Sequence, residues 1–328
     1  MNSLVIAPQW IGDAVMTEPL LRRLHGRGEQ VTVGAVPWVA PVYRAMAHAP
    51  QVIEFPFQHG GLQWRARRRI ANEVEGRFDV AYVLPNSMKS ALLPFLASIP
   101  KRVGYLGEAR VGLLTHRLKN PKGKPPMVAF YSALSGDAGV EADRPSLLLS
   151  KEEISAALDR VSLPLGGFYV FAPGAEFGPA KRWPAIHYAE LAKLLDAPVV
   201  LLGSAREAPL CDEICTEADA HECMNLAGKT SLLDAFALIA AARAVISNDS
   251  GLMHVAAAFG VPQVALFGSS SPHHTPPLND RASVIWLRDD AAYQPPLDCS
   301  PCFQRECPLG HTRCLYDITP ARVRSLLQ

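Results

Sequence analysis

The sequence predicts an α/β protein of two doubly wound units, and three observations carry that prediction. Short runs rich in Val, Ile and Leu alternate with longer helix-compatible segments, the pattern of parallel strands covered by helices on both faces. The series of runs then restarts in the second half of the chain. Between the two series lies a stretch with little periodicity, PKGKPPMVAFYSALSGDAGVEADRP. At 328 residues and 49% apolar composition, each unit has enough apolar side chains for its own core.

In the first half the strands are expected at 3–8 (SLVIAP), 30–36 (QVTVGAV), 51–56 (QVIEFP), 79–85 (DVAYVLP) and 101–105 (KRVGY). A helix at 151–161 and the turn LPLGG join the halves. The second half places strands at 168–173 (FYVFAP), 198–204 (PVVLLGS), 221–228 (HECMNLAG), 243–249 (RAVISND), 262–268 (PQVALFG) and 283–287 (SVIWL). The expected units are 1–160 and 161–317, followed by a C-terminal helix in 318–328.

No apolar run is long or unbroken enough to cross a bilayer, and MNSLVIAPQW lacks the basic start and apolar middle of a secretory signal, so a cytoplasmic protein is expected. The seven cysteines agree, being an odd number: three are scattered at 211, 215 and 223 and four are crowded near the C-terminus. The net charge of +1 hides an asymmetry. Residues 1–150 hold 18 Lys and Arg against 11 Asp and Glu, whereas 151–328 hold 14 against 20, giving +7 and −6. The basic half suits an anionic partner, either a phosphorylated substrate or a lipid surface; compositional drift is the plain alternative. Nucleic acid is disfavoured, because the basic residues are not interleaved with aromatics.

In doubly wound sheets ligands bind beyond the carboxyl ends of the strands, so the strand-to-helix turns are where chemistry is expected. Four stand out. In PQWIGDAVM, Gly12 permits a tight turn and Asp13 stands at the helix start, either as an N-cap or as a general base. PNSMKS offers Lys89 to a substrate. PGAEFGPAKRWP, at 173–184, joins Gly-rich turns to Lys181 and Arg182, a phosphate cradle or a solvated first turn. NDSGLMHVAAAFG opens a helix at which Asp249 or Ser250 is a cap, or the N–H groups of Ser250, Gly251 and Leu252 meet a pyrophosphate with His254 one turn inside.

Other features divide more plainly. GKTS at 228–231 is no P-loop, since the required glycine five residues earlier is Cys223, and no GxGxxG follows any expected strand. RARRR at 65–69 reads as a solvated helix face, with lipid phosphate as the sharper alternative. CSPCFQRECPLGHTRC places Cys299, Cys302, Cys307 and Cys314 within sixteen residues, as reduced thiols, as a disulfide or as a structural metal site.

Taken together, QWIGDAVM at 9–16, PGAEFGPAKRWP at 173–184, NLAGKTSL at 225–232, NDSGLMHVAAAFGVP at 248–262 and the cysteine run resemble glycosyltransferase family 9, and within it the branch that adds a second heptose. The resemblance spans almost the whole chain. It implies a GT-B architecture: two Rossmann-like units facing across a cleft, an acceptor-binding one and an ADP-heptose-binding one, with the C-terminal helix crossing back to the first. It implies inverting transfer of L-glycero-D-manno-heptose from ADP-heptose to heptosyl-Kdo2-lipid A, with Asp13 as base and Lys181 offsetting charge on the departing ADP. Gly174, Ala175, Arg182, Lys229, Thr230, Asp249, Ser250, Gly251, Leu252 and His254 would serve the donor, and Gly12 and Lys89 the acceptor. No cofactor is implied as required; a divalent cation at Asp249 stays open, as does a metal on the four cysteines. Peripheral contact with the inner membrane from its cytoplasmic side follows from the acceptor. The alternatives are another heptosyltransferase of the family, a nucleotide-sugar epimerase of the same architecture, which would need no acceptor, and a non-catalytic module built around the cysteines.

Overall fold

The computed structural model describes residues 1–58, 60–136, 143–219 and 223–327. The chain forms two compact units that divide between Leu147 and Leu148.

In the first unit β1 (Asn2–Ile6) leads into α1 (Ile11–Met16) and α2 (Glu18–Gly26), then β2 (Gln30–Ala35), α3 (Ala40–Arg44), β3 (Gln51–Glu54) and α4 (Trp64–Val74). β4 (Val80–Val83), α5 (Met88–Leu96), β5 (Lys101–Tyr105), β6 (His116–Leu118) and α6 (Met127–Ser132) complete it. The second unit opens with α7 (Lys151–Val161), β7 (Tyr169–Ala172), α8 (Ala185–Leu194), β8 (Val199–Leu201), α9 (Ala208–Ala218) and β9 (Cys223–Asn225). It continues through α10 (Leu232–Ala241), β10 (Ala244–Asn248), α11 (Gly251–Ala258), β11 (Gln263–Phe267), β12 (Ala282–Trp286), α12 (Arg313–Tyr316) and α13 (Pro320–Ser325).

Each unit carries a six-stranded sheet in which every described pairing is parallel. The orders are β3-β2-β1-β4-β5-β6 and β12-β11-β10-β7-β8-β9. Counted from its own first strand, each sheet reads 3-2-1-4-5-6, the doubly wound order whose winding reverses between strands 1 and 4. β4, β7, β8, β10 and β11 are buried along their whole length, which explains why they appear in the sequence as continuous apolar runs. One face of the second sheet is packed by Phe171, Ile246 and Leu266 with Tyr188 and Leu191 of α8 and Ile214 of α9, and the other by Ala265 and Phe267 with Met253 of α11.

Two expectations change. The boundary moves from 160 to Leu147 because α7 packs on α10 of the second unit. Within the second unit the segment from 318 forms α13, which packs on α8, and the Arg324 Nε–H donates to the Leu194 carbonyl at 3.3 Å. A sixth strand, β6, extends the first sheet at its edge, where the sequence HRL is largely exposed and carries no apolar run. The expected strand from 221 is seen from Cys223; positions 221 and 222 lie outside the described residues, as do 137–142 of the aperiodic stretch and 328 at the end of the C-terminal segment.

Candidate active site

In both units the loops after strands 1 and 4 leave the sheet where the winding reverses, so a crevice opens between them. Most of the expected site residues fall on these loops or the helix starts they lead into; Lys229 and Thr230 follow β9, and the four cysteines follow β12.

In the first unit Asp13 is the third residue of α1, and the N-cap position belongs to Trp10, whose side chain makes no cap bond. The cap reading of Asp13 therefore fails. Gly12 is a buried helical residue and not a turn. The Asp13 carboxylate accepts a hydrogen bond from the Tyr131 hydroxyl at 2.9 Å. Burial, and then the Asp13 charge, hold the Tyr131 hydroxyl well above its usual pKa, so it remains a proton-bearing donor. Both residues line a cavity of about 220 Å³ together with Trp10, Arg67, Ser87 and Lys89. The loop leading to Lys89, the second residue of α5, is pinned by the buried Arg110, which donates to the Pro85 carbonyl at 2.8 Å and to Asn86 Oδ1 at 2.9 Å.

RARRR divides by helical geometry. Arg65, Arg68 and Arg69 are exposed, but Arg67 is buried and turned into the cavity, its guanidinium 4.2 Å from the Phe57 ring centre and its Nε–H on the Leu62 carbonyl at 2.8 Å. Burial lowers its pKa from the usual arginine value. An arginine stays protonated even so, and the cavity thus joins a carboxylate to two cationic side chains.

In the second unit Lys181 ends a short 3₁₀ turn, and its Nζ lies 2.5 Å from Asp249 Oδ2 in the loop after β10. The same ammonium donates to the Asp249 carbonyl at 3.3 Å, and the Thr275 hydroxyl donates to Asp249 Oδ1 at 3.2 Å. Asp249 therefore orients Lys181 and does not cap α11; the N-cap position belongs to Ser250, whose side chain makes no cap bond. Ser250 Oγ is buried without a hydrogen-bond partner among the described residues, as are Ser269 Oγ and Ser270 Oγ after the neighbouring β11. Ser250, Gly251 and Leu252 supply the helix-start N–H groups, which have no intrahelical carbonyl to meet. Donor groups, the helix dipole and Lys181 are together the kind of groups that can meet an anion.

The loop turns are held by Asn248, a buried side chain with both its ends engaged. Its Oδ1 accepts from the Trp183 N–H at 3.0 Å and the Tyr188 hydroxyl at 3.3 Å. Its Nδ2 donates to the carbonyls of Pro173 at 2.6 Å and Gly174 at 3.4 Å. Gly174 has no space for a side chain, since a Cβ there would meet Glu207 Oε1 at 1.6 Å. Gly178, at φ 151°, lies against the Arg305 carbonyl, 2.4 Å from where a Cβ would stand. These contacts explain the Gly-rich spelling of 173–184.

Ala175 is buried beside Gly174, whereas Arg182 is exposed. His254 is buried in α11, and burial lowers its pKa to about 4, against the pull of Asp249 and with the push of Lys181. Lys229 is exposed, its Nζ donating to the Asn225 carbonyl at 3.0 Å, and Thr230 is half-buried before the Ser231 cap of α10.

The four C-terminal cysteines line one small cavity of about 20 Å³, with Ala180 and His311. Burial, then the other three thiols, raise Cys314 to about 12. Burial opposes ionisation of Cys307, but hydrogen bonds from the N–H groups of Thr312, Leu309, Gly310 and His311 together lower its pKa. Among the described residues no group of three or more His, Cys, Asp or Glu side chains is arranged to hold a metal ion. The loop is clamped to the Lys181 turn: the Ala180 N–H donates to the Arg305 carbonyl at 3.1 Å and the Arg305 Nε–H to the Phe177 carbonyl at 2.7 Å. Cys215 and Cys223, expected as scattered thiols, are joined as a disulfide.

Tyr131, Asn248, Thr275 and the serines at 269 and 270 were not singled out by sequence, and Arg67 reads there with the rest of RARRR as a solvated face or a lipid-phosphate site. Only Arg67 carried a signal, since at helical spacing one arginine of RARRR falls on the face of the apolar Ile70, Ala71 and Val74.

Comparison with known proteins follows the same outline. Residues 67–313 match the model of glycosyltransferase family 9 (heptosyltransferase). The chain is 43% identical to lipopolysaccharide heptosyltransferase 2 of Escherichia coli K12, over 98% of this chain and 96% of that one. It is 44% identical to the protein of that name from Salmonella typhimurium, with the same coverage. The solved E. coli ADP-heptose lps heptosyltransferase II superposes with a TM-score of 0.85 at 40% identity, covering 100% of this chain and 98% of the other.

Proposed function

The chain belongs to glycosyltransferase family 9, the heptosyltransferases, and on that premise we propose that it transfers heptose from ADP-heptose to the first heptose of heptosyl-Kdo2-lipid A. The relatives named above are heptosyltransferases 2 and II, which supports the donor and the position of the acceptor in the core. The first unit takes the acceptor and the second the donor.

The observation that carries the mechanism is the Asp13 carboxylate, held by Tyr131 at the rim of a cavity that also presents Lys89 and Arg67. Asp13 accepts the proton of the acceptor hydroxyl as that oxygen attacks the anomeric carbon of the heptose. The bond from that carbon to the diphosphate breaks in the same displacement, the configuration inverts, and ADP leaves with the electron pair. Lys181 and the N–H groups of 250–252 meet the charge that grows on the diphosphate. Asp249 serves by fixing Lys181 in place. Arg67 and Lys89 suit the anionic groups of the acceptor.

The test is heptose transfer by the native enzyme and by Asp13→Asn, with ADP-heptose binding measured separately. Loss of transfer by ~10²-fold or more with donor binding intact is expected. Near-normal transfer by the variant would remove Asp13 as the base, and an inactive native enzyme would remove the assigned substrates.

A further inference from the structure

The five tryptophans divide between the units. Trp183 and Trp286 of the second are buried, whereas Trp10, Trp38 and Trp64 of the first are 45%, 45% and 44% exposed. The exposed ones are not scattered. Trp10 follows β1, Trp38 follows β2, and Trp64 follows β3 together with Leu62; the exposed Met88 follows β4. Because β1 to β4 are parallel neighbours, all of these side chains leave from one edge of the sheet, the edge at which the Asp13 cavity opens. The Trp38 Nε1–H donates to the Gln9 carbonyl at 3.0 Å, so that ring is seated beside the Trp10 loop.

Exposed apolar side chains are ordinary when single, but a group gathered around one opening marks a contact surface. The surrounding charge says what it contacts. Arg65, Arg68 and Arg69 are exposed on α4 directly after Trp64, and the half of the chain that forms this unit carries +7. Tryptophan with arginine is the pairing that partitions into a bilayer interface, the ring at headgroup depth and the cation on anionic headgroups. We infer that the rim formed by Trp38, Leu62, Trp64, Met88 and the exposed arginines of α4 docks the enzyme on an anionic lipid surface. The inference rests on the acceptor assignment above and deepens it: the enzyme meets its lipid-anchored acceptor by lying on the membrane that holds it. Basic side chains contribute about fivefold each to such binding, and apolar insertion adds to it.

The experiment uses the full chain and vesicles of phosphatidylethanolamine with phosphatidylglycerol, or of phosphatidylcholine alone. Binding is read by co-sedimentation, and depth by quenching of tryptophan emission with lipids brominated in the acyl chain. The native enzyme is expected to bind the anionic vesicles, to release at high salt, and to show quenched emission. The variant Leu62→Ser, Trp64→Ser, Arg65→Gln, Arg68→Gln is expected to bind at least about tenfold more weakly. None of these four residues lines the Asp13 cavity, so its transfer to a deacylated, water-soluble acceptor should stay within about twofold of native. Equal binding to both vesicle types, no binding, or a variant that binds like the native chain would overturn the inference. So would an emission change caused by the deacylated acceptor and not by vesicles, which would make the rim a platform for sugar. A native enzyme that transfers to the soluble acceptor but ignores vesicles loses only the docking surface; one that binds vesicles but transfers to no acceptor loses the proposed function.

Discussion

The two units share a strand order and put their reactive groups on the same pair of loops, yet they treat charge in opposite ways. In the first unit the carboxylate of Asp13 is half-buried, takes its hydrogen bond from a neutral hydroxyl, and borders a cavity. In the second, Lys181 and Asp249 are 19% and 6% exposed and are paired at 2.5 Å. A group that has to take up a proton must be accessible to the hydroxyl that gives it. A group that has to meet a diphosphate needs only a fixed position and a fixed charge, and burial with a partner supplies both. One framework thus serves a changing charge and a constant one.

The contrast is broken most directly at Lys181. Replacing it with Ala leaves the buried Asp249 carboxylate with the Thr275 hydroxyl and without its cation, and a loss of about 3 kcal/mol in stability by urea denaturation is expected. Transfer should fall by ~10²-fold or more. Asp13→Asn, by comparison, should cost less than about 1 kcal/mol of stability, since the amide still accepts from Tyr131. Similar stability losses at the two sites would mean that both carboxylates are structural.

The next effect concerns pH. His254 is neutral in the folded unit, with a pKa lowered from 6.5 to about 4. The unfolded chain therefore binds this proton first as pH falls. The stability is fully present above pH 6.5, is lost as pH falls toward 4, and amounts to about 3 kcal/mol. His254→Gln should flatten the difference between denaturation curves at pH 7 and pH 4.5, and an unchanged difference would place the acid sensitivity of this unit elsewhere.

The smallest effect sharpens the first unit. Tyr131→Phe removes one hydroxyl from Asp13 and should lower kcat about tenfold with donor affinity unchanged. A loss as deep as that of Asp13→Asn would show that the hydroxyl takes part in moving the proton and does not only orient its acceptor.

Much of this frame is legible in the sequence for a physical reason. A parallel strand buried on both faces, such as Tyr169–Ala172, must be a continuous apolar run, and the turn that follows must carry the ligand-facing residues. β6 escapes because an exposed edge strand has no such requirement. Asp13, Lys181 and Asp249 were found from their turns, but Tyr131 and the pairings themselves were not. Tyr131 is 118 residues from Asp13, in a stretch without periodicity, and Asp249 is 68 residues from Lys181, with nothing local to say that the two loops meet. The roles of Asp13 and Asp249 as pair members and not as caps became visible only with those contacts.

Asn248 has a consequence for anyone who would redesign this unit. Three of its four hydrogen bonds tie the loop after β7 to the end of β10, where the next loop begins, and the fourth reaches Tyr188 of α8, so the two loops behave as one transplantable part. A graft of the Lys181 turn onto another sheet would have to bring Asn248 and residues 249–252 with it. Sequence drift in either loop is likewise confined to changes that the other can accept.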